Sequence, residues 1–285
     1  MIANLIRGLL IGTAEVIPGV SGGTIALIVG IYERVIGSAA IAVDAALLVL
    51  RGRFKDSKDL WKGIDWGLIL PVLAGMFAAI FAAASILEPL LESQPENMRA
   101  LFAGLILVSL VVPYKMVGSA WVAKDFLIGT AAAAVAFGLV SLPRQEVMNP
   151  NLLLVFLVAS VAVCALVLPG VSGSFLLLAM GFYAPTIAAV NDLDLAYLGM
   201  FVAGAVIGLA VFAKVLRWLL VNRRRVTLVV MTGLMFGSLR ALWPWQDESG
   251  RALEAASFEP LGYFLLGAVI VAVLTWVQSR ATKAQ

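Results

Sequence analysis

The chain has 285 residues, 62% of them hydrophobic and only 13% charged, with a mean hydropathy of +1.03. A water-soluble fold carries about 25% charged residues and could not cover so much apolar surface, so the composition specifies an integral membrane protein and argues against a nucleic-acid-binding one. The net charge is +3, with no histidine and a single cysteine, Cys164, which excludes an intramolecular disulfide, a histidine-ligated metal and a histidine proton relay.

In chain order, residues 1–17 place Arg7 ahead of a short apolar run, but Glu15 interrupts it and no small-x-small cleavage site follows, so this arm is read as retained. It runs into Pro18-Gly19-Val20-Ser21-Gly22, a helix-breaking sequence ahead of a new apolar stretch. The basic loop 51–62 comes next and is expected to sit against anionic lipid. Three apolar spans follow, near 66–91, 99–116 and 121–142, close to the ~20 residues that a bilayer core demands. A second arm, 151–168, runs into Pro169-Gly170-Val171-Ser172-Gly173, and three more spans lie near 195–218, 226–243 and 259–279.

The two PGVSG motifs stand 151 residues apart, and Gly30 and Tyr32 fall on Gly181 and Tyr183 at the same offset. A second correspondence, at 129, sets Asp65 on Asp194, Gly75 on Gly204 and Gly104 on Gly233. The chain therefore reads as one integral membrane domain, 1–285, built of two repeat halves, 1–145 and 146–285, with a 22-residue insertion in the first. Three spans per half is an odd number, which makes the repeat an inverted-topology one. If the amino terminus, the 51–62 loop, the 115–124 turn, Arg223-Arg224-Arg225 and the carboxyl terminus are cytoplasmic, most of the 20 lysines and arginines share that side. The expected fold is all-α and polytopic, with six transmembrane helices plus two broken, re-entrant hairpins. Ten shorter spans are the alternative, since either hairpin form makes an even number of crossings.

A helix break in lipid leaves backbone groups that only protein or a polar cavity can satisfy. Ser21, Gly22, Gly23 and Thr24, with Ser172, Gly173 and Ser174 in the second half, sit where N-caps sit, and there unpaired N–H groups and the helix dipole favour an anion. Arg240, inside the apolar run 231–243, either faces that anion or snorkels to the headgroups beside Trp243 and Trp245. Arg34 and Lys115 are secondary cations, and Tyr32 and Tyr183 secondary hydroxyls. Glu15 has no counterpart in the second half, where Leu166 stands; it carries a proton, pairs with Arg7 or Arg34, or caps backbone N–H groups. Gly8/Gly12, Gly204/Gly208 and Gly233/Gly237 read as close helix-packing pairs. Asp192-Leu193-Asp194 reads as a solvated turn rather than a metal site, and neither metal nor cofactor is expected.

With Glu15-Val-Ile-Pro-Gly-Val-Ser-Gly-Gly-Thr24, Leu168-Pro-Gly-Val-Ser-Gly-Ser174 and Gly237-Ser-Leu-Arg240 ahead of Trp243-Pro-Trp245, the chain resembles a bacterial and archaeal family described as undecaprenyl-phosphate translocases. The resemblance covers nearly the whole chain. It implies a carrier of undecaprenyl phosphate, or a related polyprenyl phosphate, from the outer to the inner leaflet of the bacterial cytoplasmic membrane, for reuse in envelope polymer synthesis. Membrane lipids would be the other partners. A transporter of a small soluble anion is the alternative, and an intramembrane lipid phosphatase is disfavoured because the chain offers neither histidine nor a buried acid pair.

Overall fold

The computed structural model describes residues 1–16, 21–141, 147, 150–169, 173–247 and 251–283. Among these the regular elements are helices, apart from an isolated bridge between Gln246 and Ala252, as lipid demands of a backbone that must satisfy itself. The first half carries α1 (Ile2–Val16), α2 (Gly22–Ile28), α3 (Tyr32–Leu50), α4 (Phe54–Lys62), α5 (Trp66–Ser93), α6 (Pro95–Ser109), α7 (Val111–Met116) and α8 (Ala123–Val140). The second carries α9 (Leu152–Val167), α10 (Gly173–Ala179), α11 (Tyr183–Asn191), α12 (Leu195–Asn222), α13 (Arg224–Ser238), a 3-10 turn (Leu239–Leu242) and α14 (Glu259–Lys283).

The short helices α2 and α10 end in the same way. Ile31 N–H donates to Ala26 O at 3.0 Å and Gly30 N–H to Leu27 O at 3.1 Å, while Phe182 N–H donates to Leu177 O at 2.8 Å and Gly181 N–H to Leu178 O at 3.1 Å. This closure needs a left-handed residue, supplied by Gly30 at φ 73° and Gly181 at φ 79°.

Four helix pairs pack backbone against backbone: α1 on α5, α9 on α12, α8 on α13 and α6 on α14. A Cβ added at Gly75 of α5 would stand 2.2 Å from Leu5 O, and one at Gly204 of α12 would stand 2.2 Å from Phe156 O. At Gly104 of α6 the obstacle is Phe264 O at 2.0 Å, and at Gly233 of α13 it is Gly129 O at 2.2 Å. With little hydrophobic drive between helices in lipid, such close approach is what holds a bundle together. Two of these pairs join helices three or four elements apart in the chain, and the other two join more distant ones, α6 with α14 and α8 with α13.

Four helical stretches among the described residues are long and apolar enough to cross a membrane: Pro95–Met116, Ala123–Val140, Leu195–Asn222 and Arg224–Leu242. A fifth is added if Phe54–Lys62 and Trp66–Ala79, which meet at 78°, form one span. Helices α1 and α9, with 15 and 16 residues, reach roughly 22–24 Å at 1.5 Å per residue, short of the ~30 Å hydrocarbon core. Phe77, Val202, Val206 and Val269 are exposed apolar side chains of the kind a lipid-facing surface carries. The largest core cluster among the described residues gathers Ile11, Leu27, Ile31, Tyr32, Leu68, Val72, Leu216, Leu228 and Met231, and so joins α1, α2, α3, α5, α12 and α13.

Ion pairs join neighbouring helices. Lys214 meets Asp44 at 2.5 Å and Arg224 meets Glu33 at 2.6 Å, joining α12 and α13 to α3. Arg225 clamps the start of α8, with Nη2 2.5 Å from Asp125 and 2.8 Å from Ala120 O.

Candidate functional site

Pro169 cannot continue α9 and disfavours helical geometry in the residue before it, so the chain leaves the helix at Leu168 (φ −73°, ψ 128°). The last carbonyls of α9 are thereby left without intrahelical donors. The first half supplies two. Ser21 Oγ donates to Leu168 O at 3.0 Å, and Tyr32 OH donates to Val167 O at 3.1 Å. Gly23 permits the contact, since a Cβ there would lie 2.6 Å from Val167 O. Ser21, Gly23 and Tyr32 thus meet the end of α9 at one junction.

Ser21 also caps α2. Its backbone is extended (φ −113°, ψ 130°) and its Oγ accepts from Gly23 N–H at 3.2 Å. Thr24 N–H donates to Ser21 O at 2.9 Å, and Gly22 N–H donates to Glu15 Oε1 at 2.9 Å. The first N–H of α2 is therefore already taken, by the side-chain oxygen of Glu15. Among the three roles open to Glu15 the structure displays the cap; Arg7 instead donates to Asn4 Oδ1 at 2.7 Å, and Arg34 pairs with Asp65. No such acid is available at the matching position of the second half, Leu166.

The remaining residues divide by location. Ser21 and Thr24 are almost fully buried, each 1% exposed, and Gly22 and Gly173 are buried as the first residues of α2 and α10. Ser172 lies outside the described residues, as do Pro18, Gly19, Val20, Gly170, Val171 and the side chain of Ser174. Arg240 is half-buried on the 3-10 turn. That turn reaches the junction through its neighbours, for Leu239 and Leu242 share an apolar cluster with Ala14 of α1 and Ile25 of α2. Arg34, Lys115 and Tyr183 are exposed. The residues that sequence reasoning did not single out are the acceptors Val167 and Leu168. Their signal was Pro169, which frees carbonyls as surely as it breaks the helix.

Comparison with known proteins decides the lineage. A family model described as VCA0040-like, undecaprenyl phosphate translocase-like, matches residues 11–260. The chain belongs to this family. Among curated relatives of this undecaprenyl phosphate translocase-like chain, a polyprenyl-phosphate transporter of Vibrio cholerae is 36% identical over 246 residues, 86% of this chain and 79% of the relative. A polyprenyl-phosphate transporter of Staphylococcus aureus is 27% identical over 259 residues, 85% of this chain and 86% of the relative. No solved structure matches the chain. Family and relatives alike are named for transport, so this is a membrane transporter and not an enzyme.

Proposed function

We propose that this protein moves undecaprenyl phosphate, or a closely related polyprenyl phosphate, from the outer to the inner leaflet of a bacterial cytoplasmic membrane, returning the carrier for envelope polymer synthesis. The observation that carries the reading is the junction at which Ser21 and Tyr32 of one half bond Leu168 and Val167 of the other, inside the region matched by the translocase-like family. A phosphate cannot cross hydrocarbon unaided, because burying an unpaired charge costs many kcal/mol. A pair of helix breaks brought together offers polar backbone in place of water, while a prenyl chain remains in lipid.

The architecture behind this proposal is an inverted repeat of halves 1–145 and 146–285. It is supported by α2 and α10, which begin at Gly22 and Gly173, by α5 and α12, which begin at Trp66 and Leu195, and by α6 and α13, which begin at Pro95 and Arg224. These pairs keep the offsets of 151 and 129 residues found in the motifs. On this reading α5, α6 with α7, α8, α12, α13 and α14 are the six spans, and the short arms α1 and α9 enter and return. Both chain termini and the Arg223-Arg224-Arg225 cluster are cytoplasmic. Rocking of one half against the other exposes the junction to each leaflet in turn. Ser21 to Thr24, Ser172 to Ser174 and Arg240 are the proposed phosphate-binding set, with Glu15 yielding the α2 terminus when the phosphate arrives. Inward movement of an anion runs against the membrane potential by ~2.3 kcal/mol per charge per 100 mV, so a proton or the product gradient drives it.

The test is reconstitution of the full chain in liposomes holding a fluorescent polyprenyl phosphate whose outer-leaflet fraction is bleached by a membrane-impermeant reductant. Protein-dependent loss of the protected inner pool supports the proposal. Uptake of a soluble anion without movement of the lipid would replace it with the anion-transporter reading.

A further inference from the structure

A cavity of about 300 Å³ opens between α6, the 3-10 turn and α14. Its walls are apolar: Ala100, Ala103 and Leu107 along one stripe of α6, Leu239 and Leu242 of the turn, and Trp243, Pro244, Trp245, Pro260, Leu261 and Phe264. Three contacts stiffen it. Arg99 Nη1 donates to Pro244 O at 3.1 Å, Trp243 Nε1 donates to Leu253 O at 3.3 Å, and the Trp243 and Trp245 rings meet edge-on with centroids 5.4 Å apart. One wall is chemically unfinished, because the buried Trp245 Nε1–H finds no hydrogen-bond partner among the described residues. A buried donor left without an acceptor is costly and calls for a partner such as a water, an ion or a ligand.

We infer that this cavity holds the phosphate-proximal isoprene units of a polyprenyl phosphate, with the oxygen at the head of the chain accepting from Trp245 Nε1–H. The inference rests on the transport reading above and names a subsite within it. Size supports it, since an apolar cavity of about 150 Å³ takes one benzene, and twice that volume takes on the order of twelve carbons, about two isoprene units. Placement supports it too: the turn sits at the far end of α13 from Arg223-Arg224-Arg225, where a lipid arriving from the outer leaflet would meet it. Charge suits an anionic head, because Arg99 bonds the lining residue Pro244 and Arg240 lies on the 3-10 turn that supplies Leu239 and Leu242. A pure hydrocarbon would fill the walls and still leave the indole N–H unanswered.

The experiment uses the full chain in nanodiscs and a geranylgeranyl phosphate carrying a diazirine on its second isoprene unit. Crosslinks should fall on peptides containing residues 100–107, 243–245 or 260–264, and undecaprenyl phosphate should compete them away while phosphatidylglycerol does not. Ala103→Phe, which fills the cavity, should weaken labelling about tenfold or more. Trp245→Phe keeps the wall and removes the donor, so it should weaken the phosphate probe about three- to tenfold and leave a hydrocarbon diazirine probe unchanged. Labelling that phosphatidylglycerol competes equally well would mark a general lipid cleft and overturn the inference. Saturable polyprenyl-phosphate binding with crosslinks elsewhere would overturn the subsite and leave the transport reading standing. Absence of any saturable binding would sink both.

Discussion

Ser21 and Leu168 are 147 residues apart in sequence, and the hydroxyl of the first donates to the carbonyl of the second at 3.0 Å. One hydroxyl thus closes α2 and also answers the carbonyl freed where α9 stops, so a local cap and a long-range contact fail together. Ser21→Ala removes both. Loss of a cap costs about 0.5–2 kcal/mol, and the half-buried Leu168 carbonyl, left without this donor, adds a penalty of at most about 1–3 kcal/mol. A fall in thermal stability of the detergent-purified protein, together with transport reduced at least as severely, is expected. A variant as stable as wild type would show that the junction does not hold the two halves together.

Adjacent glycines should separate the junction from the Glu15 cap. A Cβ at Gly23 would press within 2.6 Å of the Val167 carbonyl, which is backbone and cannot step aside, whereas one at Gly22 would meet Glu15 Oε1 at 2.2 Å, the tip of a movable side chain. Gly23→Ala is therefore expected to destabilise by about 1–3 kcal/mol. Gly22→Ala should cost less stability and act mainly by expelling the carboxylate from the α2 terminus. Thermal melts of the pair are the check, and equal losses would contradict the geometry.

The matched tyrosines give a comparison internal to the chain. Tyr32 is buried with its hydroxyl on Val167 O at 3.1 Å, while Tyr183, which follows Gly181 as Tyr32 follows Gly30, is 42% exposed. Tyr32→Phe should cost about 1 kcal/mol, and Tyr183→Phe should fall within about 0.5 kcal/mol of zero. Similar losses at both sites would mean that the two motifs play equal parts in the junction.

The tyrosines also show where sequence reasoning reaches and where it stops. Backbone-determined features were legible: Gly30 and Gly181 end their helices alike, and Gly204, Gly208, Gly233 and Gly237 press on neighbouring backbones, because proline, glycine and apolar spacing act through short-range sterics. Side-chain partners were not. Arg34 looked like a free cation until α3 folded it against Asp65, and Glu15 could pair with Arg7 or Arg34 or cap backbone N–H groups, of which Gly22 N–H is the partner it meets. Nor could any pattern announce the cavity beside Trp245, which joins residues from about 100 to 264 through tertiary packing alone.

The Glu15 cap leads to the last prediction, which concerns what accompanies the phosphate. With Oε1 2.9 Å from Gly22 N–H, the carboxylate occupies the position at α2 that an incoming phosphate would take, and the two anions repel each other. Binding at α2 then requires Glu15 to swing away or to take up a proton. Glu15→Gln keeps an oxygen for Gly22 N–H and removes the charge, so the fold should survive and polyprenyl-phosphate affinity should rise several-fold. Glu15→Ala should bind as well and fold less well, since its Gly22 N–H loses its acceptor at a cost of about 1–3 kcal/mol. If Glu15 carries the proton, Glu15→Gln liposomes should lose the dependence of net lipid movement on an imposed pH gradient. A phosphate monoester has its own second pKa near 6, so gradient-driven movement that persists in Glu15→Gln would assign the proton to the substrate. Wild-type movement indifferent to the gradient would remove proton coupling altogether, and lower affinity in Glu15→Gln would mean that the carboxylate helps to hold the substrate instead of competing with it.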